Sequence, residues 1–253
     1  MLAGPLDREV RANYTLLVTA RDRGQPPNTA QMRLLLRVDD ENDNAPIFAP
    51  DQYSASVPEN TTIGTEVTRC SATDADAGLN GRVRYSIIEG DPNHDFAIGQ
   101  DTGIVRVAKE LNFERKSMYF LTIQADDSAG TGVRYDTATA TVSVTDINDN
   151  APVFRDAPYL VFIMENVEEL PAPLTTVVAH DADEAPYNAI TYSIKEGNRA
   201  IFQIEPRTGE ITVNAVLDRE ARSEYRLVVA ATDSGEYPAP ALLMRQSGAA
   251  LVV

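Results

Sequence analysis

Apolar and polar residues alternate along most of this chain, in short runs bounded by glycine, proline, asparagine and aspartate. Alternation with a period of two marks a half-buried β-strand, because successive side chains leave opposite faces. Residues 14–20 and 31–38 read as strands. A longer series follows at residues 53–57, 66–72, 83–87, 103–107, 119–125 and 137–145. A second series repeats its order at residues 159–164, 174–179, 190–194, 209–213 and 225–231. No window carries an apolar stripe at the 3.6-residue spacing of a helix. Short strands at even spacing, with Gly and Pro turns between them, predict an all-β chain of Greek-key β-sandwich domains with immunoglobulin-like topology.

The polar segments repeat as well. DENDNAPIF at residues 40–48 returns as DINDNAPVF at residues 146–154. LDRE (6–9) is echoed by LNFE (111–114), PEN (58–60) by MEN (164–166), and DAD (74–76) by DAD (181–183). Glu165 stands 106 residues after Glu59, and Asp149 stands 106 after Asp43. That period is too long for a solenoid unit of roughly 20–50 residues and suits tandem whole domains. The expected organisation is a partial repeat over 1–44, its C-terminal strands only, and a complete repeat over 45–150. A truncated repeat over 151–253 follows, with an atypical tail after about 240, where the next alternating strand and a third DxNDN are missing. Each DxNDNAP run reads as a stiff linker, since Pro fixes its own φ and pushes its predecessor out of the helical region.

Composition narrows the function. The 253 residues carry 38 acids against 22 bases, a formal net charge of −16. Phosphate backbones and anionic membrane surfaces demand the opposite sign, so neither nucleic acid nor an anionic membrane surface is an expected partner. The acids form short clusters between strands, an arrangement suited to metal cations. Cys70 is the single cysteine, which excludes a disulfide within the chain and reads as a small buried hydrophobe. The opening residues lack a signal-peptide pattern, and no stretch approaches the ~20 apolar residues of a membrane span, so no direct membrane insertion is expected of this segment.

Two Asp one residue apart share a face of an extended chain. Clusters of carboxylates, Asn amides and carbonyls, without the Cys and His that transition metals prefer, suit Ca²⁺ and its 6–8 oxygen ligands. An EF-hand starting at Asp74 fails, because Gly78 falls at loop position 5 and Tyr85 at position 12, where a bidentate Glu is required. Catalysis is not expected: the acids recur at domain boundaries rather than in one cleft, and no Ser-His-Asp set stands out. His94 and His180 read as surface or turn residues, and Asn13 and Asn60 begin glycosylation sequons.

In combination, LDRE, DxNDNAP, PEN and DAD at this order and spacing resemble extracellular cadherin repeats, over almost all of residues 5–235. The wording LDRE with YTLLVTARD most resembles long-array cadherins of the Fat/Dachsous and protocadherin-like groups. The resemblance implies sandwiches joined by calcium-binding linkers, with three Ca²⁺ at each complete junction. At the second junction it implies Glu59, Glu114, Asp146 and Asp149 with the Ile147 carbonyl for two ions. Asn148, the Asn150 carbonyl, Asp181, Asp183 and Asp233, with a carbonyl near Asn188, would hold the third. At the first it implies Asp7, Glu9, Asp40, Asn42, Asp43, Asp74, Asp76 and Asp127, with the carbonyls of Glu41, Asn44 and Asn80. Two departures weaken the pattern. Asn112 stands where the family has an Asp, and the first junction has no PEN glutamate before it. The third set, Glu165 with Asp218 and Glu220, lacks a DxNDN partner, and no strong site is expected there.

Seven carboxylates at each junction account for fourteen of the sixteen net negative charges. Two such charges 4 Å apart repel by about 4 kcal/mol at an effective dielectric of ~20. Seven together should drive neighbouring domains apart unless cations enter, so Ca²⁺ is expected to turn a hinged chain into a stiff rod. The implied function is calcium-dependent cell adhesion by an ectodomain segment on the extracellular side of a plasma membrane. Its expected partners are other cadherin-type ectodomains, homophilic or heterophilic. The chain contains no Trp, which removes Trp-anchored strand exchange from this segment. The competing reading is a secreted calcium-binding array that recognises carbohydrate.

Overall fold

The computed structural model describes residues 4–127, 132–156 and 158–233, and the backbone of 246–252. Among these residues every regular element is a strand. The chain falls into two compact units. One comprises Met1–Asn112 with Lys116–Thr145, the other Phe113–Arg115 with Asp146–Val253.

Unit one opens with a hairpin, β1 (Asn13–Arg21) and β2 (Thr29–Arg37), in antiparallel register from Asn13 opposite Arg37 to Arg21 opposite Thr29. A sandwich follows, formed by β3 (Ile47–Phe48), β4 (Gln52–Pro58), β5 (Glu66–Arg69), β6 (Ala72–Thr73), β7 (Val83–Glu89), β8 (Phe96–Ile98), β9 (Ile104–Val107), β10 (Met118–Asp127) and β11 (Tyr135–Thr145). One sheet runs β4-β11-β10-β7, with β4 parallel to β11; the other runs β5-β9-β8, and β3 pairs with β6. Non-consecutive neighbours make this the Greek-key sandwich that the alternation predicts.

Unit two repeats the plan. Its strands are β12 (Val153–Phe154), β13 (Tyr159–Leu160), β14 (Ala172–Thr176), β15 (Ala179–His180), β16 (Thr191–Glu196), β17 (Phe202–Ile204), β18 (Glu210–Val213), β19 (Arg226–Thr232) and β20 (Gln246–Val252). Its sheets run β13-β20-β19-β16 and β14-β18-β17, with β12 paired to β15. Leu227, Val229, Ala231, Ile211, Val213 and Phe202 share one buried core.

Three expectations change. The runs 66–72 and 174–179 are each broken into two strands. In the first break Ser71 N donates to the Tyr53 hydroxyl (3.0 Å) and Ala72 N to the Tyr85 hydroxyl (2.9 Å). Val178 and Ala179 make the same bonds to Tyr159 (3.3 Å) and Tyr192 (2.9 Å). Two hydroxyls thus replace the ladder where the chain bends. The run 159–164 yields only the two-residue β13, paired in parallel with β20; Phe162 and Met164 are exposed. After Pro240 the sequence reading places no strand, yet β20 pairs with β19 along its whole length. Its sequence, QSGAALV, carries no apolar–polar alternation, so its pairing with β19 is not announced by the period. The part of that tail before Gln246 lies outside the described residues.

Cys70 is buried, and burial pushes its thiol up to about 11. A folded sample is expected to resist thiol alkylation at pH 8 and react only on unfolding, which mass spectrometry with and without urea checks.

Candidate metal centre

The period that packs each core also delivers a carboxylate to its end. On β10 the inward row Tyr119, Leu121, Ile123 and Ala125 is fully buried, and the next inward position is Asp127, also 0% exposed. On β19 the row Leu227, Val229, Ala231 leads to the half-buried Asp233.

In unit one the linker after β2 folds back on the DAD loop after β6. Asp43 N donates to the Glu41 carbonyl (2.9 Å). Asn44 N donates to Asp76 Oδ2 (3.1 Å), and Asn44 Nδ2 donates to both Asp43 Oδ1 and Asp76 Oδ1 (2.7 Å each). Asp76 N donates to Asp74 Oδ1 (2.9 Å), Ala77 N to Asp40 Oδ1 (3.0 Å), and Asn80 Nδ2 to Asp40 Oδ2 (2.9 Å). Ligand oxygens of Glu9, Asp43 and Asp76 lie within 4.8 Å of one another. Asp7 caps its own turn by accepting from Val10 N (2.9 Å), and Glu41 is exposed.

Unit two repeats these bonds. Asp149 N donates to the Ile147 carbonyl (2.9 Å), and Asn150 N to Asp183 Oδ1 (3.3 Å). Asn150 Nδ2 donates to Asp183 Oδ1 (2.7 Å), Asp149 Oδ1 (2.8 Å) and Glu114 Oε1 (2.7 Å). Asp183 N donates to Asp181 Oδ1 (3.1 Å), and Glu184 N to Asp146. Glu114, Asp146 and Asp183 bring ligand oxygens within 4.8 Å of one another. Asn188 stays exposed, its N–H donating to the Glu184 carbonyl (3.4 Å). Glu59 directly follows β4 in unit one, nearly fully buried, its N–H donating to the Thr145 carbonyl (3.0 Å).

These acids are short of protein donors. Asp74 Oδ2, Asp127 Oδ2, Asp146 Oδ1 and Asp181 Oδ2, together with both side-chain polar atoms of Asn42, are buried without a hydrogen-bond partner. Burial is the main cause raising the carboxyls of Asp74 and Asp181, with further like-charge repulsion from Asp76 and Asp127 and from Asp233 respectively. Asp183 is pushed up to about 6, first by burial and then by Asp181 and Asp146, against the Asn150 hydrogen bond. Asn148 sits 3.1 Å from Asp183 Oδ2 and 3.3 Å from Asp233 Oδ2. With its nitrogen facing them it donates to both; with its oxygen facing them it becomes a third acceptor that only a cation would hold there. A buried carboxylate oxygen without a donor costs free energy, and a hard divalent ion with oxygen ligands removes that cost. The residues therefore fit Ca²⁺.

Sequence reasoning missed two parts. The side-chain amides of Asn44 and Asn150 tie linker to DAD loop, a role invisible when only carbonyls are counted. Arg8 pairs with both Glu9 and Asp40 and donates to the Ala75 carbonyl (2.8 Å). A resident guanidinium at these carboxylates competes with metal. Arg8→Ala is expected to tighten calcium binding in unit one by about two- to fivefold, the order of a partly exposed ion pair, in a calorimetric titration.

The third set, Glu165, Asp218 and Glu220, also gathers within 4.8 Å in unit two. Arg219 pairs with Glu220 (3.2 Å), and its N–H donates to Glu165 Oε2 (2.9 Å).

Twin Greek-key sandwiches with repeated acidic ends define a tandem repeat array. The family profile of the cadherin domain matches residues 53–145 and 159–242. Protocadherin Fat 4 of Mus musculus is 42% identical over 234 residues, covering 92% of this chain and 5% of that protein. Protocadherin-like wing polarity protein stan of Drosophila melanogaster is 39% identical over 243 residues, covering 91% of this chain and 6% of that protein. The solved structure of mouse Cadherin-23 EC22-24 superposes with a TM-score of 0.86 at 32% identity, over 98% of this chain and 75% of that one. The chain belongs to the cadherin family. It spans about a twentieth of the length of its first curated relatives.

Proposed function

We propose that this chain is a calcium-rigidified ectodomain segment of a cadherin-like membrane protein that serves calcium-dependent cell–cell adhesion, without catalysis. The repeats would divide at 1–44, 45–150 and 151–253. The ions would be held in unit one by Asp7, Glu9, Asp40, Asp43, Asp74, Asp76 and Asp127, with Asn42 and the carbonyls of Glu41, Asn44 and Asn80. At the second junction Glu59, Glu114, Asp146, Asp149, Asp181, Asp183, Asp233 and Asn148, with the carbonyls of Ile147, Asn150 and Asn188, would hold them. One observation carries the reading: two acid sets, tied by the same hydrogen bonds from linker to DAD loop, each leave buried carboxylate oxygens without a donor.

The adhesive partners would be other cadherin-type ectodomains. Fat, stan and Cadherin-23 relatives support that class; nothing favours the carbohydrate reading. Beads coated with a longer ectodomain containing this segment are expected to aggregate in millimolar calcium and disperse in chelator. Glycan capture by the segment without calcium-dependent aggregation would decide for the carbohydrate reading instead.

A further inference from the structure

A feature outside the acid sets recurs three times. Each Leu-led acidic segment closes on itself through one backbone bond: Arg11 N to the Asp7 carbonyl (2.9 Å), Lys116 N to the Asn112 carbonyl (3.1 Å), and Arg222 N to the Asp218 carbonyl (2.9 Å). The residue that closes each turn is basic, and its cationic group lies over the ring of the tyrosine three residues on. The distances to the ring centroid are 4.5 Å for Arg11 on Tyr14, 4.0 Å for Lys116 on Tyr119 and 4.5 Å for Arg222 on Tyr225. A second bond fixes each cation. Arg11 Nε donates to the Asn13 carbonyl (3.1 Å), Arg222 Nε to the Glu224 carbonyl (2.9 Å), and Lys116 Nζ to the Gly90 carbonyl (3.1 Å). Two of the tyrosines are anchored from the core, edge-on to Phe96 (4.9 Å) and Phe202 (5.3 Å).

Two residues before each basic residue stands the glutamate of the acidic segment: Glu9, Glu114 and Glu220. We propose that Arg11 and Lys116 are positioning residues, each stacking its cation on the following tyrosine to hold the acidic turn in the shape that presents its glutamate, Glu9 or Glu114, to a divalent ion; Arg222 makes the same stack beside the third set, where no strong site is expected. The proposal rests on the calcium reading of those glutamates. A turn of five residues has no ladder to hold it, so its end must be tied to a rigid strand. A strand-borne ring offers that tie, packed against the core at Tyr119 and Tyr225 and half-buried on β1 at Tyr14, and a cation over its face is attracted by the ring quadrupole. The signal in the sequence is Glu-x-Arg/Lys-x-x-Tyr, present in all three copies as EVRANY, ERKSMY and EARSEY. The arginine of LDRE itself is not the clamp: Arg8 and Arg219 pair with carboxylates.

The test compares Lys116→Met and Arg11→Met, which keep the aliphatic bulk and drop the charge, with Lys116→Arg and Arg11→Lys. Two readouts are taken on the whole chain: hydrogen exchange of the amide at position 116 or 11 in chelator, and the calcium isotherm. The methionine variants should speed exchange of that one amide and weaken calcium binding by about three- to tenfold each, the scale of a cation–π contact. The swaps that keep the cation should restore both. Faster exchange with an unchanged isotherm overturns the positioning role, as does unchanged exchange. A parent chain that binds no calcium sinks the metal reading and this proposal together; intact binding with an indifferent clamp sinks the proposal alone.

Discussion

Asp183→Asn is expected to change the stability of unit two in opposite directions with and without calcium. In chelator the Asp183 carboxyl titrates at about 6 in the folded unit, against an ordinary 3.8. The folded state then holds the proton more tightly than the unfolded chain. The stability this proton gives is fully present below about pH 3.8 and lost as pH rises through about 6. At pH 7 the ionised group therefore burdens the metal-free unit, by no more than about 3 kcal/mol at ~1.4 kcal/mol per pH unit. Asparagine removes that burden, so the chelated variant should melt several degrees higher at pH 7 and show little gain near pH 4. In millimolar calcium the same change deletes a charged ligand, and the melting temperature should fall below that of the parent. For the parent, acidification through pH 6 should weaken calcium binding as protons compete. Scanning calorimetry at pH 4 and 7, with and without chelator, reads all of this. A variant that melts lower than the parent under every condition would mean that Asp183 is merely a structural acid.

Gly103→Ala and Gly209→Ala are expected to be among the most damaging single substitutions in the sandwich cores. Each glycine has a positive φ, 64° and 71°, where L side chains are strained. A Cβ at 103 would stand 2.1 Å from the Cys70 carbonyl oxygen, and one at 209 would stand 2.3 Å from that of Val177. Both carbonyls belong to the bends between β5 and β6 and between β14 and β15, and Cys70 N and Val177 N donate to the Gly103 and Gly209 carbonyls (2.9 and 3.0 Å). The clash is with backbone, which cannot step aside. The loss should be roughly 2–4 kcal/mol in urea unfolding, against about 1 kcal/mol at Gly132, which shares the positive φ (80°) but whose added Cβ meets nothing within 4 Å. Equal effects at positions 103 and 132 would show that the bends tolerate displacement.

How much of this was legible in the sequence follows from where the information sits. Long strands such as β10 and β11 declare themselves, since half their residues must face a core. β8 and β17 did not, because three residues hold too little period and Phe96 and Phe202 are buried only by partners far along the chain. The short β3 and β12 were missed for the same reason. The strand breaks depended on hydroxyls of Tyr53 and Tyr85, which approach the bend only after folding. The acid sets were legible as repeated spacing. A further repeated signal, the basic residue and tyrosine after each glutamate, spaced 105 and then 106 residues apart, was equally present in the letters. It went unread because tyrosine reads as core and a lone lysine or arginine as surface; only the 4.0–4.5 Å stacking joins them. Arg8 was hidden in the same way, as one base among acids.

A calcium titration of the whole chain by calorimetry, run beside the Asp76→Asn/Asp183→Asn double variant, tests the central claim most directly. Extracellular modules of this kind bind in the range of ~10⁻⁴–10⁻³ M. Saturable uptake by the parent within that range, reduced in both units by the double variant, is the predicted result. A flat isotherm for the parent at millimolar calcium, or identical isotherms for parent and variant, would contradict it.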